Sequence, residues 1–286
     1  MTIQVYETSV EEIEYLRHDG GTQRLTLYQP QGPGPFAAVV DIHGGAWTRG
    51  DMAECGPRAE VLAQAGLAVA ALNFRDGEHG YPASLADINF GIRWLKAQAD
   101  DFNVDPGRIG LSGQSSGGHL AMLAAMRPAD KRYTALPLPA GMRAMDATVR
   151  CVAMSWPVIN PLSRYRNALR NRALAEPPAW VGDLPERHDT YWKDEAAMTE
   201  GNPMLALERG EAVAMPPALW VQGRPDPVHD YHDPDGGFEG NEPERFVANY
   251  RKAGGEIELQ VVPQETRSSQ PTYEAIRDFF LKRLAA

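Results

Sequence analysis

A chain of 286 residues, 43% of them hydrophobic, is long enough to bury a large core in one unit. Its formal charge of −10 argues against nucleic acid as a partner, because phosphates would be repelled. No apolar run reaches the roughly 18 residues of a membrane span, so no membrane partner is expected.

The first 20 residues, MTIQVYETSVEEIEYLRHDG, lack a basic start and an apolar run. They do not read as a secretory signal, and a cytoplasmic location is expected. Residues 3–8, 11–18 and 23–28 read as short strands, followed by a turn cluster at 31–35. AAVVDI (37–42) is a continuous apolar run of strand length, as in a strand buried on both faces. A helix is predicted around 53–65, then a strand over 67–74. Pro82 suits a helix first turn, with Leu85, Ile88, Ile92 and Leu95 at helical spacing behind it. A turn and a short strand over 105–113 and a helix over 115–126 follow, then strands at 148–156, 218–223 and 256–262, the last two separated by a helix near 243–253. Tyr273, Ile276, Phe279, Phe280 and Leu284 form the apolar stripe of a C-terminal helix. Strands alternating with helices imply an α/β domain over 1–286, with a mostly parallel central sheet flanked by helices.

Residues 157–216 break the rhythm. They are rich in proline and, with Trp156 at their edge, in aromatics (Trp156, Tyr165, Trp180, Tyr191, Trp192) and carry Arg164, Arg166, Arg170 and Arg172. An insertion between two strands, above their carboxyl ends, is the usual place for a helical lid over a substrate pocket. The aromatics suit either a ring in the substrate or packing, and the arginines either an anion or solvent.

Two motifs carry chemistry. Gly113-Gln114-Ser115-Ser116-Gly117 is a G-x-S-x-G match that leaves a predicted strand and opens a predicted helix. Such a turn holds a serine nucleophile, Ser115, clear of its neighbours, and the helix N-terminus favours a developing oxyanion. HGGAW (43–47) follows the strand AAVVDI, and its glycines allow bare backbone N–H groups to line a cavity.

HGGAWTRGD, YPASLADINFGIRWLK and NVDPGRIGLSGQSSGGHLAML together resemble the α/β-hydrolase fold. The similar branch is that of the hormone-sensitive-lipase-like esterases and their arylformamidase and feruloyl-esterase relatives. The resemblance spans roughly residues 20–285. It implies a carboxylic-ester hydrolase with Ser115 as nucleophile and an oxyanion hole from the N–H groups of Gly44, Gly45 or Ala46, and Ser116. It gives His43 and His119 supporting roles and makes Asp226, in Gly223-Arg224-Pro225-Asp226, the acid that orients a histidine. No metal or organic cofactor is implied; the partner is a small-molecule ester or amide. Dimers are common among such relatives.

The base is missing from its usual place. Relatives carry it in the loop after the last strand, where this chain has Arg267. An arginine stays protonated and offers only donors. Three readings stand open: Arg267 marks an inactivated esterase; His229 or His232, close after Asp226, supplies the imidazole; or the fold is a non-catalytic binder. A kynurenine-formamidase-like amide hydrolase fits the HGGAW loop as well as an esterase does. Two cysteines, Cys55 and Cys151, fit buried reduced thiols and stand outside any metal-ligand spacing. The acidic loop with Asp233, Asp235, Glu239 and Glu242 does not match an EF-hand. His18, His79 and His188 have no partner pattern.

Overall fold

The computed structural model describes residues 4–18 and 21–285. Eight strands form one sheet: β1 (Thr8–His18), β2 (Gly21–Pro30), β3 (Phe36–Ile42), β4 (Leu67–Leu72), β5 (Val104–Gln114), β6 (Cys151–Ser155), β7 (Ala218–Arg224) and β8 (Ile257–Pro263). Their order is β1-β2-β4-β3-β5-β6-β7-β8. β1 and β2 pair antiparallel, β2 runs antiparallel to β4, and every later pair is parallel. Residues 4–7 form no strand, and residue 3 of the first expected strand lies outside the described residues.

The central strands are apolar throughout because both faces are covered; every residue of β3, β4 and β6 is buried. α1 (Gly56–Gln64) and α9 (Gln270–Arg283) cover one face, with Ala59, Leu62, Ile276 and Phe280 in its core. α2 (Ala83–Ala97), α3 (Ser116–Met126) and α8 (Glu242–Lys252) cover the other, with Ile88, Ile92, Leu120 and Phe246. Cys55 and Cys151 are buried free thiols.

Between β6 and β7 lie four further helices: α4 (Pro161–Arg172), α5 (Leu184–Trp192), α6 (Glu195–Glu200) and α7 (Pro203–Glu208). Tyr191 and Trp192 are buried in the main core, stacked about Trp47 and Tyr81, so these aromatics serve packing. Among the described residues no helix is long and apolar enough to cross a membrane.

Candidate active site

Parallel strands present their carboxyl ends at one edge of the sheet, and the loops that leave them converge there. β5 ends in Ser115, whose backbone sits at φ 51°, ψ −121°, outside the ordinary regions for a non-glycine residue. Strain of this kind is about 1–3 kcal/mol and persists only where the surroundings over-determine it. Here they do: the Ser115 N–H donates to the Ser155 carbonyl at 2.9 Å, and its own carbonyl accepts from the N–H groups of His119 and Val158. A Cβ at Gly117 would collide with the backbone carbonyls of Ile42 and His43. The absence of one lets α3 start hard against the end of β3.

β3 leads into His43-Gly44-Gly45-Ala46-Trp47. Gly45 has φ 108°, and Ala46 and Trp47 follow at φ 52° and 62°, so three successive residues take left-handed conformations. The anchor is Trp47, which is 1% exposed and surrounded by His119, His188, Tyr191 and Trp192. Its indole N–H donates to His119 Nδ1 at 3.2 Å, while His119 Nε2–H donates to the Gly201 carbonyl at 2.8 Å. Both nitrogens of His119 are thus engaged, and burial drives its pKa down to about 3. His43 stacks on Phe74 with its ring centroid 4.4 Å away. Neither histidine is at the serine. The loop lies against the elbow: a Cβ on Gly44 would rest 3.5 Å from that of Ser115. Among the described residues, the N–H groups of Gly44, Gly45, Ala46 and Ser116 have no acceptor.

After β7 the chain makes a tight turn in which the N–H groups of His229 and Asp230 both donate to the Asp226 carbonyl. Three residues on, such a turn comes back over its own start, so His229 stands on Asp226. His229 Nδ1–H donates to Asp226 Oδ2 at 2.8 Å, which fixes the tautomer and leaves Nε2 to accept from Ser115 Oγ at 3.0 Å. Burial lowers the pKa of His229; Asp226 opposes this, and the Arg164 and Arg267 cations add to it. The imidazole is neutral at pH 7. Asp226 is held below the usual carboxylate range although burial raises it, because His229, Arg267 and the Val228 N–H stabilise the anion.

Of the three open readings, the one that leaves the serine without an imidazole is corrected on this geometry, because His229 lies 3.0 Å from Ser115 Oγ. Arg267 does not replace a base; its Nη1 donates to Asp226 Oδ2 at 3.0 Å, and its guanidinium lies 4.7 Å from the Trp156 ring centre. A group with only donors seeks the carboxylate. His232 is also corrected as a candidate base: it is exposed, bonded to the Gly240 carbonyl and bridged to Asn241, away from the serine. In the acidic loop, Asp233 pairs with Arg245 and Arg170, and Asp235 with Arg170. His18 bonds Asp87, and His188 is buried under Trp47. Sequence reasoning missed the Asp226–Arg267 pair and the Trp156 stack, which no local pattern signals.

The chain is 33% identical over 240 residues to the carboxylic ester hydrolase LipN of Mycobacterium tuberculosis, an alignment covering 82% of this chain and 57% of LipN. It is 25% identical over 270 residues to an ethyl acetate hydrolase of Pseudomonas putida, covering 90% of this chain and 74% of that one. The chain spans less than two thirds of the length of the first curated mycobacterial relatives that it matches. Among solved structures, a hyperthermophilic esterase from the archeon Pyrobaculum calidifontis superposes with a TM-score of 0.71 at 20% identity, over 97% of this chain and 87% of that one. The fold is therefore that of the α/β-hydrolase esterases. The BD-FAE family model matches residues 25–232, most of the sheet and the whole segment from the HGGAW loop to the Asp226 turn, and the chain belongs to that family.

Proposed function

We propose that this protein hydrolyses small carboxylic esters through an acyl-enzyme on Ser115, with His229 as the base and Asp226 orienting it. The observation that carries this is the unbroken line Ser115 Oγ–His229 Nε2 at 3.0 Å and His229 Nδ1–Asp226 Oδ2 at 2.8 Å. The Ser115 oxygen attacks the acyl carbon while its proton passes to His229 Nε2. The carbonyl electrons move to the oxygen, which the N–H groups of Gly44, Gly45, Ala46 and Ser116, without an acceptor among the described residues, stabilise. On collapse, His229 returns the proton to the leaving alcohol. A water then repeats the sequence and releases the acid.

The helical insertion at 157–216 acts as the lid over this site. Amide hydrolysis would use the same groups, so the formamidase-like reading differs only in the leaving group. A neutral imidazole in contact with the serine supports turnover over a non-catalytic binder. Two buried free thiols support a reducing, cytoplasmic setting.

The test is hydrolysis of p-nitrophenyl acetate and butyrate, with fluorophosphonate labelling of Ser115. Ser115→Ala and His229→Ala are each expected to lower kcat by about 10⁴–10⁶-fold, and His232→Ala by no more than about twofold. Full activity in His229→Ala would remove the proposed base. Absence of both turnover and labelling in the native chain would favour the binder.

A further inference from the structure

Of the four arginines on α4, three end on carboxylates at the surface. Arg166 pairs with Glu195 at 2.6 Å, Arg170 with Asp235 at 2.9 Å and Arg172 with Glu186 at 2.6 Å. Arg164 does not. Its residue is 1% exposed, its Nη2 has no hydrogen-bond partner, and among the described residues it forms no ion pair. Its Nε–H points to His188 Nε2 at 3.4 Å, and its guanidinium lies 5.0 Å from the Trp47 ring centre. His188 brings no charge: its Nδ1–H donates to the Leu184 carbonyl at 2.7 Å, and burial, then Arg164, hold its pKa well below the usual range. Burial pulls Arg164 itself down to about 10, so it remains a cation at pH 7.

A buried guanidinium without a counter-ion is not an ordinary core feature, because desolvating a cation is unfavourable unless an anion or a full set of acceptors replaces water. Its location suggests what is missing. Arg164 lines a small cavity of about 10 Å³, the space of about one water, together with His229, Val158, Tyr231 and Glu242. His229 touches Ser115, Val158 is bonded to the Ser115 carbonyl, and Trp47 belongs to the loop that lies against the elbow. One Glu242 oxygen is taken by Arg245 at 2.9 Å and the other has no partner. Burial pushes the Glu242 carboxyl up to about 7, so its negative charge, and its repulsion of an anion, is reduced at neutral pH.

We propose that Arg164 recognises a carboxylate on the substrate, so that the preferred esters bear an anionic group within reach of the scissile bond. The planar guanidinium offers the paired donors that match a carboxylate, and its burial limits the water that would otherwise screen it. This rests on Ser115 as the nucleophile.

The experiment compares three esters in the native chain, Arg164→Met and Arg164→Lys. They are p-nitrophenyl butyrate (neutral), mono-p-nitrophenyl succinate (carboxylate on the acyl side) and the butyryl ester of 4-hydroxybenzoate (carboxylate on the alcohol side). The native chain is expected to prefer one of the two anionic esters over butyrate by about tenfold or more in kcat/KM, mainly through KM. Arg164→Met should collapse that ratio and Arg164→Lys restore part of it; which ester responds identifies the side. A ratio near one in the native chain, or one unchanged in Arg164→Met, would overturn the proposal. If Arg164→Met does not fold, inhibition of native butyrate hydrolysis by succinate against succinamide decides it: tighter inhibition by the acid supports the proposal, and equal inhibition overturns it. If no ester is turned over, the hydrolase reading fails on its own. A rise in Tm with succinate but not succinamide would still support carboxylate binding, and its absence would end that too.

Discussion

Arg267 stands where the order of the chain suggests the histidine, and His229 stands at the serine instead. The residue after β8 clamps the acid, and the residue three places after the acid reaches the serine. Arg267→Gln tests the clamp. The His229 pKa lies below 6.5, chiefly through burial, with Arg267 among the cations that depress it and Asp226 opposing them. Removing the cation lets that pKa rise, so the acid limb of kcat/KM is expected to move to higher pH. The same change leaves a buried carboxylate with one partner fewer and lowers stability by about 1–2 kcal/mol. A pH–rate profile with denaturant unfolding checks both; a limb that stays in place would argue that Arg267 only packs on Trp156. Arg267→His is expected to bring no large gain, because His229 already holds the position at Ser115.

The elements of the sheet and its covering helices were legible because periodicity and turn residues encode them locally. AAVVDI, the GQSSGG turn and the stripe Tyr273–Leu284 all fall where the chain places β3, the start of α3 and α9. The insertion was legible only as an interruption, since four short helices with mixed faces show no long period. What holds them together is not sequential. Asn160 caps α4 by accepting from the Ser163 N–H at 3.1 Å and also accepts from Asn202 Nδ2 at 2.8 Å; Asn202 in turn caps α7 through the Leu205 N–H at 3.1 Å. Asn202 is fully buried, so truncation removes a cap and orphans its partners. Asn202→Ala is expected to lower stability by about 2–3 kcal/mol, measured by urea unfolding. A loss within about 0.5 kcal/mol, as for an ordinary surface change, would show that α4 and α7 are not tied through this pair.

Across the whole molecule, three imidazoles are kept neutral by burial: His119 down to about 3, His188 well below its usual value, and His229 below its own. The unfolded chain protonates each near 6.5, so on acidification it binds protons that the native state refuses. Stability therefore falls as pH drops below 6.5, by up to about 1.4 kcal/mol per pH unit for each group until its native pKa is reached. Glu242, raised to about 7, works against this between its unfolded value of 4.5 and 7, and Asp76, raised by burial, does so above its own unfolded value, but they are two groups against three. Urea unfolding at pH 7 and at mildly acid pH measures the balance; equal or greater stability in acid would contradict it. By itself, the order of residues determined the alternation of strand and helix, the serine on its sharp turn and the glycine-rich loop facing it, because each is written in neighbouring positions. Only the tertiary structure decided which histidine stands at the serine, what Arg267 binds and that Arg164, among the described residues, forms no ion pair. Those outcomes depend on which side chains meet across distant loops and on which charges are stripped of water there, and neither is encoded in any one stretch of chain.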